Sequence, residues 1–90
     1  MADITVEGRG ADAYRVTITE EDSATTHDVT VGAVDVARLA GGCPPEDLIV
    51  ASFRFLLERE PKESILGRFD LMVIARYFPE YPAAITGYLQ

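Results

Sequence analysis

The apolar pattern of this chain changes its period once, close to Gly32, and the change separates two kinds of structure. Before it, apolar and polar residues alternate in three short segments, at about 4–6, 14–19 and 27–31. Alternation with a period of two buries one set of side chains and leaves the other in water, as in a strand that is covered on one face. The connecting loops are rich in Gly, Asp and Ser. We therefore predict an antiparallel meander of three strands.

Beyond Gly32 the apolar residues follow helical spacing. The sequence predicts a short helix at about 33–40, stopped by a pair of glycines, and a long helix at about 46–60 that starts after two prolines and ends before a third. A shorter C-terminal helix is predicted at about 71–78, with Asp70 as its N-cap. The fold class is therefore α+β.

The chain length of 90 residues predicts a single domain, residues 1–90, with the β meander in 1–32 and the helical part in 33–90. Residues 83–90 offer a small apolar face, which leaves two alternatives for this segment: a frayed turn or an ordered arm.

Charge and cysteine content limit the function classes. The net charge is −7, and residues 1–48 carry all of it, with ten acidic and three basic side chains. Nucleic acid is held by clustered Lys and Arg, so we expect no nucleic-acid partner. The single cysteine, Cys43, forms no internal disulfide, and the N-terminus lacks the pattern of a signal peptide. No apolar run reaches the roughly 18 to 20 residues of a membrane span. We therefore expect a cytoplasmic protein with no membrane partner.

Candidate chemistry is sparse. The segment 8–13 matches G-x-G-x-x-A, but a strand follows it where a phosphate-binding turn needs a helix, so we interpret it as a hairpin loop and predict no cofactor. His27 and Cys43 are the only residues of their types, too few for a metal site of histidines and cysteines. We predict that the protein is not an enzyme. A catalytic or metal role for His27 and a nucleophilic role for Cys43 are the lesser alternatives.

Aromatic residues concentrate in the second half, where seven of the eight lie at or beyond Phe53. The long helix also has an apolar arc too wide for one sheet face, so the C-terminal segment or a second subunit should cover the rest. Aromatic and arginine side chains carry much of the energy of protein interfaces. The predicted partner-binding residues are Phe53, Arg76, Tyr77, Phe78 and Tyr81. The alternative for these aromatic side chains is packing within the chain's own core.

The C-terminal block reads SFRFLLEREP at 52–61, SIL at 64–66, FDL at 69–71 and RYFPEYP at 76–82. It resembles a group of small bacterial proteins that are generally labelled uncharacterised. The resemblance covers nearly half of the chain and implies no activity, cofactor or binding residue.

The order of strand 26–31, helix 33–40 and helix 46–60 resembles ribbon-helix-helix regulators and antitoxins, in which paired strands of a dimer read DNA. In this chain two further strands come first, and Asp28 and Thr30 would face the groove without Lys or Arg.

Three hypotheses of function follow. The leading one is a small cytoplasmic module that binds another protein, or itself as a homodimer, through the C-terminal aromatic surface. The second is a ribbon-helix-helix-like DNA-binding regulator or antitoxin. The third is a small enzyme.

Overall fold

Residues 2–89 of a computed structural model form a four-stranded sheet and four α-helices. The strands are β1 (Asp3–Gly8), β2 (Ala13–Glu20), β3 (Ser23–Thr30) and β4 (Arg68–Asp70). The helices are α1 (Ala33–Ala40), α2 (Pro45–Leu57), α3 (Ile74–Tyr77) and α4 (Tyr81–Tyr88). The α+β class is confirmed. Residue 1 of the predicted domain and residue 90 of the predicted C-terminal arm lie outside the residues that the structure describes.

The sheet has the order β1-β2-β3-β4, and its first three strands are the predicted antiparallel meander. The fourth strand was not predicted: β4 lies parallel to β3, so the sheet is mixed. Three residues with one apolar member, Phe69, are too few to show an alternation. Because β4 belongs to the second half of the chain, the sheet combines strands from before and after Gly32, where the apolar pattern changes its period.

The strand β3 is longer than predicted on its N-terminal side, since it begins at Ser23 rather than near residue 27. A two-residue turn joins it to β2, with Glu20 opposite Ser23 and Glu21 in the left-handed region at φ 50°. Residues 23–26 hold no large apolar side chain, so their pairing with β2 leaves no hydrophobic pattern in the sequence.

The two central helices follow the sequence closely. Helix α1 has the predicted bounds, and Gly41 ends it with a φ of 61°, a left-handed conformation that suits glycine. Helix α2 stops at Leu57, three residues before the predicted end. Pro61 disfavours a helical conformation at the residue before it, and the Arg59 N–H turns back to the Leu56 carbonyl, which tightens the last turn.

The predicted helix 71–78 is divided in two. A 3₁₀ turn occupies 71–73, where the Asp70 carboxylate accepts a 3.1 Å hydrogen bond from the Met72 N–H, and α3 follows with a single turn. Over residues 83–89 the predicted C-terminal arm is ordered, because most of it belongs to α4, which buries Tyr81 and Ile85 completely.

Helix α2 lies at the centre of the core and contacts β1, α1 and α4. Phe53 and Phe55 are both fully buried on it, while its polar residues Asp47 and Arg54, and Glu58 just after it, are exposed. The wide apolar arc of α2 is therefore covered within the chain, on one side by the sheet and on the other by α4. Among residues 2–89, no helix is both long and apolar enough to cross a membrane.

Candidate interaction groove

An apolar groove opens where the end of α2, the loop 62–67, β4 and α3 meet, and its cavity volume is about 220 Å³. Its floor is formed by the buried side chains of Leu56, Ile65 and Ile74. Phe69 of β4 and Phe78, just after α3, are half-buried in its lining. The lining also includes Val73 and the polar residues Ser64 and Glu60. Several short pieces of chain thus contribute to one concave surface.

Two exposed side chains stand at the rim of this groove. Leu66 is 48% exposed and Tyr77 is 67% exposed. Over the part of the chain that the structure describes, only one other large apolar side chain is exposed, Val34 on α1, at 79%. Scattered exposed apolar residues are common on proteins, but two beside one apolar groove form a continuous patch.

His27 holds the loop that carries Leu66. Its Nδ1 donates a 2.8 Å hydrogen bond to the Leu66 carbonyl oxygen, since that oxygen can only accept. Its Nε2 lies 2.8 Å from the Thr25 hydroxyl, and its ring packs 5.5 Å from the ring of Phe53. The histidine is 2% exposed. The hydrogen-bonded His27 side chain attaches the loop to β3.

Lys62 holds the other end of the same loop. Its side chain is only 5% exposed, and its Nζ lies 2.7 Å from Glu63 and 2.9 Å from Glu20 at the end of β2. The Glu63 carboxylate, and after it Glu20, raise the pKa of Lys62, while the Lys62 ammonium lowers the pKa of Glu63. The ammonium thus ties the start of the loop to the β2–β3 turn.

An aromatic cluster closes the side of α2 next to the groove. The rings of Phe78, Tyr81 and Tyr88 surround Phe55 edge-on at 5.8, 5.4 and 5.8 Å. The Arg59 guanidinium lies 3.6 Å above the centre of the Phe55 ring, in a cation–π contact. Phe78 belongs both to this cluster and to the groove lining, so the cluster supports one wall of the groove.

Tyr81 is fixed inside this cluster by a buried chain of hydrogen bonds. The Ser52 hydroxyl donates to the Leu48 carbonyl at 2.7 Å, so the Tyr81 hydroxyl, also 2.7 Å from Ser52, is the donor in their shared bond. Burial raises the pKa of Tyr81 to about 12, against a smaller lowering by the Ser52 bond. The phenol therefore stays neutral at ordinary pH.

The structure separates the five predicted partner-binding residues. Phe53 and Tyr81 are fully buried, so their side chains do not reach the surface, which corrects their placement on it. Tyr77 and Phe78 lie in the groove, on its rim and its wall. Arg76 is exposed but lies outside the groove lining. The sequence around Pro79 does not indicate which of the neighbouring aromatic side chains faces the core and which faces water.

Sequence reasoning missed Leu66 and Glu60 as groove residues. Leu66 lies in the segment 64–67, whose pattern is typical of a short turn or helix. Its neighbour Ile65 is buried while Leu66 is exposed, and adjacent residues in extended chain do point opposite ways. Glu60 lies after the end of α2 at Leu57 and lines the groove.

The remaining candidates for chemistry lie apart from the groove. Within residues 2–89, no three His, Cys, Asp or Glu side chains lie close enough together to hold a metal ion. His27 uses both ring nitrogens in the bonds described above. Cys43 is a free, partly buried thiol just before α2.

The sheet counts against the ribbon-helix-helix alternative. Strand β3 is bonded to β2 along its whole length and to β4 at 28–30, so pairing with a second copy over 28–30 would have to displace β4. On the open face, the register aligns Glu7, Arg15, Asp28 and Arg68 in one row across the four strands. Arg15 and Asp28 are paired at 3.2 Å. A row of alternating sign is not the basic surface that attracts DNA.

Protein-family models, curated proteins and solved structures were compared with the chain, and none matches it. The resemblance of the block at 52–82 to small bacterial proteins stays a prediction.

Proposed function

We propose that this protein is a small interaction module that binds another protein through the groove between α2, β4 and α3. The observation that carries the proposal is the position of Leu66 and Tyr77, two of the three exposed large apolar side chains among residues 2–89, on the rim of one groove. Exposed apolar patches next to a concave surface are typical of protein-binding sites.

The size of the groove favours a side chain of a protein as its occupant. Pockets for cofactors and drug-sized molecules usually measure roughly 300 to 1,000 Å³. The cavity here is smaller, about 220 Å³, and it is lined mostly by apolar side chains. One or two large apolar side chains from a partner would fill it and remove the rim from water.

The proposed contact residues are Leu66, Tyr77 and Phe78, with Phe53 and Tyr81 supporting the groove from the core. The partner is a different protein or a second copy of this chain, which would form a homodimer. A cytoplasmic location remains part of the proposal and rests on the single cysteine.

The test uses the double variant Leu66→Ser, Tyr77→Ser and a matched control, Val34→Ser. All three substitutions remove an exposed apolar side chain, but Val34 lies outside the groove. Each tagged protein is purified from the cell that makes it, and co-purifying proteins are quantified. Loss of a central contact residue typically weakens an interface about tenfold or more.

The expected result is a partner, or a dimer mass in size-exclusion chromatography, that is retained by the wild type and the Val34 variant and lost by the double variant. Thermal unfolding should show that the double variant remains folded. Equal partner recovery and equal mass in all three proteins would refute the proposed function.

A further inference from the structure

The groove contains one charged side chain whose role in the fold is unaccounted for. Glu60 lines it, half-buried, among apolar neighbours. Within residues 2–89, the other glutamates near this end of α2 have partners: Glu58 accepts from the Tyr88 hydroxyl at 2.6 Å, and Glu63 binds Lys62. The Glu60 side chain makes neither an ion pair nor a hydrogen bond within that range.

The Glu60 carboxylate should favour a partner segment that carries a positive charge. Docking an apolar group would remove part of the water around Glu60, and that loss is costly for a charged group unless an opposite charge replaces the water. An acidic occupant would add repulsion from the Glu60 carboxylate. A basic occupant would gain a pairing partner at the groove.

Resting on the proposed function, we infer that the groove binds a partner segment in which a large apolar side chain is flanked by lysine or arginine. The apolar side chain enters the cavity between Leu66 and Tyr77, and the basic group pairs with Glu60. The Tyr77 ring at the rim offers a second contact for a cation, since aromatic faces attract Lys and Arg.

The inference is tested with random twelve-residue peptides displayed on phage and selected against the immobilised full-length protein. Enriched peptides are synthesised, and their affinity is measured by fluorescence polarisation. The variant Glu60→Gln is compared with Glu46→Gln, which removes the same charge at the exposed first turn of α2, away from the groove. The Leu66→Ser, Tyr77→Ser variant measures dependence on the groove itself.

The expected peptides combine Leu, Ile, Met or an aromatic residue with nearby Lys or Arg. Glu60→Gln should weaken them about two- to fivefold, as for a partly exposed ion pair, while Glu46→Gln should leave them unchanged. Added salt should reduce the difference between the wild type and Glu60→Gln. The double groove variant should bind none of them.

Two outcomes would overturn the inference and leave the proposed function in place. The first is enrichment of acidic or uncharged apolar peptides that lose affinity in the double groove variant but bind the Glu60→Gln variant and the wild type equally. The second is a dimer of this chain that occupies the groove and is lost only in the double variant. Basic peptides that bind the double groove variant and the wild type with equal affinity would overturn both the inference and the proposed function.

Discussion

Phe53 and Phe55 are two residues apart on α2 and are both fully buried, yet their surroundings differ. Phe53 faces the sheet, where its ring lies 5.5 Å from His27 and 6.0 Å from Phe69. Phe55 faces the C-terminal arm and lies among three aromatic rings under the Arg59 guanidinium. One helix thus supports two aromatic clusters on opposite sides.

The two clusters are closed in different ways. The Phe55 cluster is closed by a helix, α4, and by buried hydrogen bonds around Tyr81. The Phe53 cluster continues through Phe69 into the groove, where the cover is a loop attached through His27 and Lys62. Both clusters border the groove, the Phe53 cluster through Phe69 and the Phe55 cluster through Phe78, but only the Phe55 cluster is closed by a helix. A partner would therefore contribute most over the loop.

The largest expected effect comes from a cavity in the Phe55 cluster. Phe55→Ala should lower the free energy of unfolding by about 3–5 kcal/mol, because it removes a fully buried ring and leaves its aromatic neighbours around a cavity. Phe55→Leu, which keeps most of the volume, should cost less. Urea denaturation of the three proteins measures the difference. A loss of under about 1 kcal/mol in the alanine variant would show that α4 does not depend on this ring.

A smaller effect should appear at alkaline pH through Tyr81. Burial raises its pKa to about 12 from an ordinary value of 10.0, so the folded state resists loss of the phenol proton. The stability from this difference is complete below pH 10 and is lost as the pH rises toward 12. The shift corresponds to about 2–3 kcal/mol.

The alkaline loss is measured by urea denaturation of the wild type and the Tyr81→Phe variant across this pH range. The Tyr81→Phe variant should lose less stability than the wild type as the pH rises. Some alkaline loss should remain, because burial also raises the pKa of Tyr14. In a pH titration followed by phenolate absorbance near 295 nm, the variant should likewise lack the ionisation step at the highest pH. Identical alkaline curves for the two proteins would contradict the assignment.

The regular part of the fold was predictable because its signals are local. Alternation gives the meander, and Gly41 gives the end of α1, since each depends on a few adjacent residues. Strand β4 depends instead on contact with β3, which lies about 40 residues earlier, and nothing in three residues encodes that pairing. The extension of β3 over its polar start has the same origin in pairing with β2, whereas the early end of α2 follows from Pro61 and the tightened last turn.

The candidate site was predictable in composition but not in orientation. The aromatic residues from Phe53 onward lie in the same part of the chain as the groove, and Tyr77 and Phe78 line it. The sequence could not tell that Tyr81 turns inward to Ser52, because that choice depends on a hydrogen bond between residues 29 positions apart. The same limit applies to Leu66, whose carbonyl is bonded to His27, 39 positions earlier.

The smallest expected effect concerns the attachment of the loop to the sheet. His27→Leu removes the donor to the Leu66 carbonyl and the partner of Thr25, and it should lower the free energy of unfolding by about 1–3 kcal/mol. Thr25→Val removes only one of the two bonds and should cost about 0.5–1.5 kcal/mol. The second variant keeps the loop attached and is therefore the matched control.

Hydrogen exchange distinguishes a general loss of stability from release of the loop. The Asp28 N–H donates to the Gly67 carbonyl at 2.8 Å, so its exchange reports whether the loop stays on β3. In the His27→Leu variant it should accelerate more than the Ile18 amide in the middle of β2, whereas Thr25→Val should change both about equally. If His27→Leu also changes both equally, the histidine stabilises the whole core and the groove wall does not depend on it. Greater acceleration at Asp28 would make the loop the weaker closure of the two sides of α2, consistent with apolar surface remaining open there.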